Sequence, residues 1–379
     1  MENIKCTLCQ ANPKSQNINY FRQAAKSNST QSFVICENCI SLLSDALQTV
    51  KQNVKPKAGL PDFTPKDIYN HLSRFVIGQE DAKTSLSVAV FQHYQRIKNP
   101  TLKHKSNILM CGPTGSGKTY LVQIIAEFLN VPFAHVDLTS ITPRGYVGES
   151  PESMIERLFL AAKGNVKQAE KGIIFLDEFD KIPAGHEQGS FKAKILQGEI
   201  LKLLEGDIVD IRLSEQGQKV SINTKNILFI AAGAFSGLEE LKKEKPTLGI
   251  TQEKRETEPQ NKKDLKPFLK FGLIPELLGR FPVTCFTEPL SENELIEILR
   301  NSEDSILRYY KELFFINGVE LELKEDLLRD VAKKALKEEL GARGLKRQLE
   351  ERFKDILFQI DNFKGKKLSV GLNSLEVKL

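Results

Sequence analysis

Three groups of residues have types and spacings that could do chemistry. The first is Gly112-Pro113-Thr114-Gly115-Ser116-Gly117-Lys118-Thr119, which fits the phosphate-loop pattern G-x-x-x-x-G-K-[ST]. Gly112, Gly115 and Gly117 let the backbone wrap close to phosphate oxygens. Lys118 would reach the β- and γ-phosphates of a nucleotide, and the Thr119 hydroxyl would hold Mg²⁺. The second is Asp177-Glu178, at the end of the apolar run Ile173-Ile174-Phe175-Leu176. Asp177 would bind Mg²⁺ through water, and Glu178 would activate the attacking water. A strand that merely ends in acidic residues is the plainer alternative, and the phosphate loop upstream argues against it. The third is a pair of C-x-x-C motifs, Cys6/Cys9 and Cys36/Cys39, the signature of a four-thiolate zinc site. A redox dithiol or unliganded surface cysteines would also fit one such motif; the second pair disfavours the redox reading. A module of this size has little core, so metal binding would supply much of its folding free energy, on the order of 10–16 kcal/mol.

The elements that must position these groups can be read from periodicity. Asn107-Ile108-Leu109-Met110-Cys111 is a short apolar run expected to be a buried strand, and Lys118 to Leu129 carries Leu121, Ile124, Ile125 and Phe128 at helical spacing. Strand, glycine loop and helix together aim backbone N–H groups and a helix N-terminus at an anion. A chance glycine-rich turn lacks that context. Pro132 to Val136, Ile173 to Asp177 and Asn226 to Ala232 read as further strands, and Asp207 to Ile222 as a hairpin about a Ser-Glu-Gln-Gly turn. Phe191 to Glu205 reads as a helix, and a helix before the loop has Ala82, Leu86, Ala89, Val90 and His93 on one face. His93 is expected at that helix's surface rather than as a ligand, because none of the five histidines has metal-ligand spacing. Asp180 and Lys181 are expected to serve local structure or a subunit contact. Cys111 and Cys285 sit in apolar, strand-like runs and read as core.

The chain then divides into four segments. Residues 1–50 form the cysteine module, with the polar stretch Ser27 to Ser32 as a loop insertion and a short helix after Cys39. Residues 51–66, with three prolines, a glycine and several lysines, read as a linker. Residues 67–285 hold the phosphate-loop domain, and 286–379 a small, mostly helical domain. In the latter, amphipathic helices are expected at about 291–315, 324–338 and 343–361, with a closing strand or strand pair near 366–378. Leu241 to Lys270, rich in Lys, Glu, Gln and Pro, is expected to be a loop. From spacing alone Gly145-Tyr146-Val147-Gly148 is a turn with packed side chains.

Composition sets outer limits. The 379 residues are 40% hydrophobic and 27% charged, ordinary for a soluble protein of two or three domains. A net charge of +5 gives no strong field for nucleic acid or membrane, so neither is expected as a partner. No apolar run reaches the roughly 18 residues of a membrane span. The N-terminus lacks the apolar core of a signal peptide, which leads to a cytoplasmic expectation with reduced thiols.

With these residues in place, the chain resembles the ClpX family of AAA+ unfoldases, which feed the ClpP peptidase. The resemblance runs over nearly the full length. It rests on the cysteine module, Val76-Ile77-Gly78-Gln79, the phosphate loop, Gly145-Tyr146-Val147-Gly148, Asp177-Glu178, Leu278-Gly279-Arg280 and Gly341-Ala342-Arg343. The related HslU ATPase would share the AAA+ motifs and lack the cysteine module.

The resemblance implies an α/β fold: an AAA+ P-loop domain with a parallel sheet and flanking helices, a small helical C-terminal domain, and a treble-clef-like zinc module. It implies ATP between the two larger domains, held by the phosphate loop and Tyr120, with adenine near Val76 and Ile77. Arg343 is implied as the sensor-2 arginine. Arg280 is implied as an arginine finger for the neighbouring subunit, an element worth roughly 10³–10⁵ in turnover in GTPases. A site shared between subunits implies a ring, here a homohexamer. Tyr146 and Val147 are implied to line an axial channel and drag unfolded or tagged polypeptide, and the zinc module to dimerise and dock substrates or adaptors.

Three positions depart from the family pattern. Leu248-Gly249-Ile250 stands where an Ile-Gly-Phe-type tripeptide docks on ClpP, so the aromatic anchor is missing. The hairpin turn Ser214 to Lys219 lacks an Arg-Lys-His cluster, and the sensor-1 segment Ala231-Ala232-Gly233 has no polar side chain. Besides the peptidase-coupled unfoldase, three readings therefore compete: a peptidase-free remodeller, a nucleic-acid-remodelling P-loop ATPase, and a non-hydrolysing ATP-binding scaffold.

Overall fold

The computed structural model describes residues 20–22, 34–36, 39, 62–182, 191–212, 219–236 and 266–378. The chain forms two compact units, 1–61 and 62–379. In the first, β1 (Tyr20–Arg22) pairs antiparallel with β2 (Val34–Cys36), Tyr20 facing Cys36. Cys36 and Cys39 are buried. Cys6, Cys9 and the helix expected after Cys39 lie outside the described residues.

The second unit opens with α1 (Pro65–Phe75). Thr64 and Asp67 form a capping box: the Asp67 amide donates to Thr64 Oγ1 (3.3 Å), and the Thr64 amide donates to Asp67 Oδ2 (2.8 Å). Pro65 sits in the first turn, where its missing N–H costs nothing. The proline read as linker punctuation thus starts a helix, which buries Ile68 and Leu72. After α2 (Glu80–Lys98), β3 (Ile108–Cys111) leads into the phosphate loop and α3 (Lys118–Leu129).

The other core strands are β4 (Phe133–Asp137), β5 (Ile173–Asp177), β8 (Leu228–Gly233) and β9 (Val283–Phe286). They form one parallel sheet in the order β4-β5-β8-β3-β9. The apolar runs at β3, β5 and β8 are buried throughout their cores, as expected of strands covered on both faces. Cys111 and Cys285 are core residues, as read from the sequence. The phosphate-loop strand lies inside the sheet while the next strand in sequence lies at the edge. That reversal of order opens a crevice at the carboxyl ends of the strands.

Outside the sheet, the helix Phe191–Glu205 and the hairpin of β6 (Ile208–Arg212) and β7 (Lys219–Asn223) match the sequence reading. His93 does not. It is fully buried, with Nε2 3.0 Å from the Asn226 carbonyl. Burial, with Arg96 and Lys105 nearby, pulls its pKa down to about 3, so it is a neutral core group. Helical spacing identified the inward face but not that a turn would cover its far end.

The C-terminal part has four helices rather than three: Glu292–Asn301, Ile306–Ile316, Glu325–Lys337 and Ala342–Phe358. The segment read as one helix breaks at Ser302–Ser305. Ser305 Oγ accepts from the Arg308 amide (3.4 Å) to cap the second helix, and Ser302 Oγ donates to the Phe75 carbonyl (2.8 Å). Three strands close this part. β10 (Glu320–Leu323), missed in the sequence, pairs parallel with β11 (Lys367–Val370), which pairs antiparallel with β12 (Leu375–Lys378). Leu295, Leu299, Phe314, Val331, Leu349 and Phe353 are among its core residues. Among the described residues no helix is long and apolar enough to cross a membrane.

Candidate nucleotide site

The phosphate loop lies where the two parts of the second unit meet. Gly115 has φ +75°, and a Cβ there would stand 2.1 Å from the Leu340 carbonyl oxygen, so only glycine fits. In return the Ala342 amide donates to the Gly115 carbonyl (3.2 Å). The loop is braced from behind by Ser116 Oγ, which donates to the Pro113 carbonyl (2.8 Å) and lies 2.7 Å from Thr287 Oγ1. Lys118 Nζ donates to the Gly112 and Pro113 carbonyls (2.7 and 2.8 Å). Burial pulls the Lys118 pKa down, against the opposing pull of Asp177 and Asp180.

Asp177, at the end of β5, faces the first turn of α3. Its Oδ2 accepts from Thr119 Oγ1 (3.3 Å) and lies 3.1 Å from His135 Nε2; its Oδ1 accepts from the Glu178 amide (2.9 Å). Burial alone would raise the Asp177 pKa, but the bonds from His135, the Glu178 amide and Thr119 outweigh it and hold the carboxyl below its ordinary value. Glu178 has φ +55°, in the left-handed region, a conformation that costs about 1–3 kcal/mol in a residue with a side chain. Its side chain lines the cleft.

The cleft itself is ≈ 590 Å³. Phe75, Val76 and Ile77 form one apolar flank, and Leu290, Ile298 and Ile306 extend it from the C-terminal part. Arg343 and Lys346, from the first turns of the last helix, add positive charge to the same cleft. Tyr120, beside Thr119, donates its hydroxyl to Asp304 Oδ2 across the junction (2.9 Å), and burial and that carboxylate raise its pKa. Reciprocal bonds between the Gln79 side chain and the Glu288 backbone (both 2.8 Å) add a further tie between the two parts.

The structure thus brings together Val76, Ile77, Thr114 to Thr119 of the phosphate loop, Tyr120, Asp177, Glu178 and Arg343, while Gly112 and Pro113 do not line the cleft. Arg280 is elsewhere: its guanidinium pairs with Glu205 at the surface. Tyr146 and Val147 are exposed, Val147 fully, and the Lys192 ammonium lies 4.5 Å from the Tyr146 ring centroid. Leu248, Gly249, Ile250 and the turn Ser214–Gln218 lie outside the described residues.

Two residues escaped the sequence reading, and a third was read only in part. His135 alternates outward on β4 and carried no motif. Asp304 sits in the unread helix break. Asp180 was given only a local or subunit role, yet it is buried and lines the cleft. A Cβ on Gly233 would stand 2.7 Å from Asp180 Oδ1, so the bare end of β8 makes room for a carboxylate from the neighbouring segment.

As for cations, the hydroxyl of Thr119 and the carboxylate of Asp177 are the hard oxygen donors that suit Mg²⁺. With Cys6 and Cys9 outside the description, no group of three or more His, Cys, Asp or Glu gathers as a metal site among the described residues.

Comparison with known proteins gives matches over most of the chain. The AAA domain family (Cdc48 subfamily) matches residues 103–284, and the C-terminal D2-small domain of ClpB protein matches 290–361. The chain is 39% identical over 377 residues to "ATP-dependent Clp protease ATP-binding subunit ClpX 2" of Wolinella succinogenes, covering 95% of this chain and 92% of that protein. It is 39% identical over 362 residues to the ClpX subunit of Borrelia duttonii, covering 89% and 84%. With that of Treponema denticola it shares 36% over 359 residues, covering 88% and 86%.

Proposed function

Because this chain belongs to the ClpX family of AAA+ ATP-binding subunits of the Clp protease, it is an ATPase, and we propose that it spends ATP on unfolding and translocating proteins. The observation that carries the reading is the gathering of Lys118, Thr119, Asp177, Glu178 and Arg343 around one cleft between two parts of the chain. ATP would lie there with adenine against Val76 and Ile77 and its phosphates along Gly112 to Tyr120. Thr119 and Asp177 would hold Mg²⁺, which supplies charge neutralisation at the phosphates. Lys118 would release its loop carbonyls for the β- and γ-phosphates, Glu178 would orient and deprotonate the attacking water, and Arg343 would bind phosphate from the opposite wall.

The remaining roles belong to an assembly. Arg280, at the surface and outside its own cleft, would serve the ATP of the next subunit in a homohexamer. Tyr146 and Val147 would grip polypeptide in the axial channel, and Leu248-Gly249-Ile250 would dock on a ClpP-type peptidase. Residues 1–50 would form a zinc-binding module on Cys6, Cys9, Cys36 and Cys39 that receives unfolded or tagged substrates and adaptors. Residues 51–66 would link it to the large (67–285) and small (286–379) AAA+ domains of a cytoplasmic protein.

A peptidase-free remodeller is the second reading, because the docking tripeptide lacks its aromatic anchor. Digestion of a loosely folded, casein-like protein by the host ClpP, with and without this chain and ATP, separates the two. ATP-dependent digestion that vanishes in Leu248→Ala/Ile250→Ala supports docking. ATP hydrolysis without digestion transfers the proposal to the remodeller. Glu178→Gln should keep ATP binding and lose hydrolysis; binding without hydrolysis in the unmutated protein would make it a scaffold. Salt-sensitive DNA binding would revive the nucleic-acid reading, and metal analysis tests the zinc.

A further inference from the structure

The carboxylate of Asp177 has a partner that the phosphate-loop motif does not call for. His135 stands on the edge strand β4, paired in parallel register with β5: His135 opposite Phe175, and Asp137 opposite Asp177. Residues two apart on a strand share a face. His135, Phe175 and Asp177 therefore project from the same side of the sheet. The imidazole leans over the Phe175 ring (centroids 5.6 Å apart, planes 32° apart) and brings Nε2 to 3.1 Å from Asp177 Oδ2. An ionised carboxylate only accepts, so Nε2 carries the hydrogen and Nδ1 is left as the acceptor in the neutral ring. The His135 side chain is 47% exposed, so core filling is a poor account of it.

Both oxygens of Asp177 are thus held: Oδ1 by the amide of Glu178, and Oδ2 by Thr119 and His135. The two holds on Oδ2 differ. The Thr119 hydroxyl would serve two partners, offering an oxygen lone pair to the cation while its O–H stays on Asp177. His135 holds the carboxylate without being a metal ligand itself. We propose that His135 is a positioning residue of the Mg²⁺–ATP centre, fixing the Asp177 carboxylate through Oδ2 from outside the set of groups that would touch the metal. Through the Asp177 Oδ1 bond it also steadies the left-handed turn at Glu178. Outer-shell partners of this kind are worth about 10–100-fold in metal affinity where they have been removed. The proposal rests on the reading of Asp177 as the metal-side carboxylate.

The test uses the full chain with ADP and Mn²⁺ as a spectroscopic stand-in for Mg²⁺, with free Mn²⁺ counted by electron paramagnetic resonance. His135→Leu should weaken Mn²⁺ binding about tenfold and leave metal-free ADP affinity unchanged. His135→Gln, which keeps an N–H at similar reach, should restore most of the loss. His135→Asn, polar but too short, should behave like leucine, and it serves if the leucine variant does not fold. Unchanged Mn²⁺ affinity in the leucine and asparagine variants would overturn the proposal. So would an equal loss in leucine and glutamine, because packing on Phe175 would then explain it. Asp177→Asn separates the layers: if it binds Mn²⁺ normally, the reading of Asp177 fails; if it alone loses binding, only the role of His135 fails.

Discussion

The two walls of the cleft are built on different principles. The wall from the sheet is backbone: a glycine loop pinned at Gly115, with Lys118 and Ser116 folded onto its own carbonyls. The wall from the C-terminal part is side chain: Arg343 and Lys346 on a helix start, and Asp304 in a helix break. A backbone wall tolerates almost no substitution where it is tight, because a clash with main-chain atoms has no rotamer to relieve it. A side-chain wall can be trimmed one hydrogen bond at a time. It is also the wall that could move, because it is tied to the first by discrete bonds: Ser302 to Phe75, Glu303 to Arg74, Asp304 to Tyr120.

The largest effect should come from a residue on neither wall. Arg280→Ala is expected to lower ATP turnover by roughly 10³-fold or more while nucleotide affinity holds, because its guanidinium does not line its own cleft. Steady-state hydrolysis beside nucleotide titration reads both quantities, and a parallel loss of affinity would move Arg280 onto one of the walls. Gly115→Ala comes next. Its Cβ meets a backbone oxygen at 2.1 Å in a left-handed conformation, so nucleotide affinity should fall by at least about 100-fold, which is about 2.7 kcal/mol, by calorimetry. A mild loss there would show that the backbone wall yields.

Tyr120→Phe removes a single hydrogen bond to a carboxylate across the junction and should weaken nucleotide binding only about fivefold, near 1 kcal/mol. A loss as large as that of Gly115→Ala would erase the distinction between the walls. The smallest effect lies away from both. Lys105, half-buried with its ammonium over Phe229 and donating to the Leu204 and Thr224 carbonyls, has its pKa pulled down to about 7 by desolvation and then by Arg96. Between about pH 7 and its ordinary value of 10.5, the unfolded chain binds a proton that the folded chain does not. Stability therefore rises with pH across that window and is lowest below pH 7. The melting temperature should climb by a few degrees from pH 7 to 9, flatten in Lys105→Met, and leave nucleotide affinity alone.

The same contrast explains what the sequence disclosed. The backbone wall was legible because glycine, lysine and threonine at fixed offsets are required by the loop's conformation, and the strand–loop–helix context followed from apolar periodicity. Of the side-chain wall only Arg343 was legible, through its resemblance and its place at a helix start. Asp304 was hidden because apolar spacing continues on both sides of Ser302–Ser305, and serines break a helix by side-chain bonds that periodicity does not register. His135 was hidden because its partner depends on strand register, a nonlocal property. Helix α1 was masked by Pro65, whose role reverses with its position in a turn. Strand β10 was too short to alternate visibly.

The contact between Gly115 and the Leu340–Ala342 backbone also has a meaning for the order in which the chain is made. Synthesis delivers the phosphate loop well before the helix Ala342–Phe358, and domains form as their residues emerge. The sheet can assemble without its C-terminal partner, but the second wall of the cleft does not yet exist at that stage. A ribosome-bound chain therefore carries the phosphate loop without a completed nucleotide site until those residues emerge. That site closes only when the helix Ala342–Phe358 has been released, which ties the first possible turnover to the emergence of that helix.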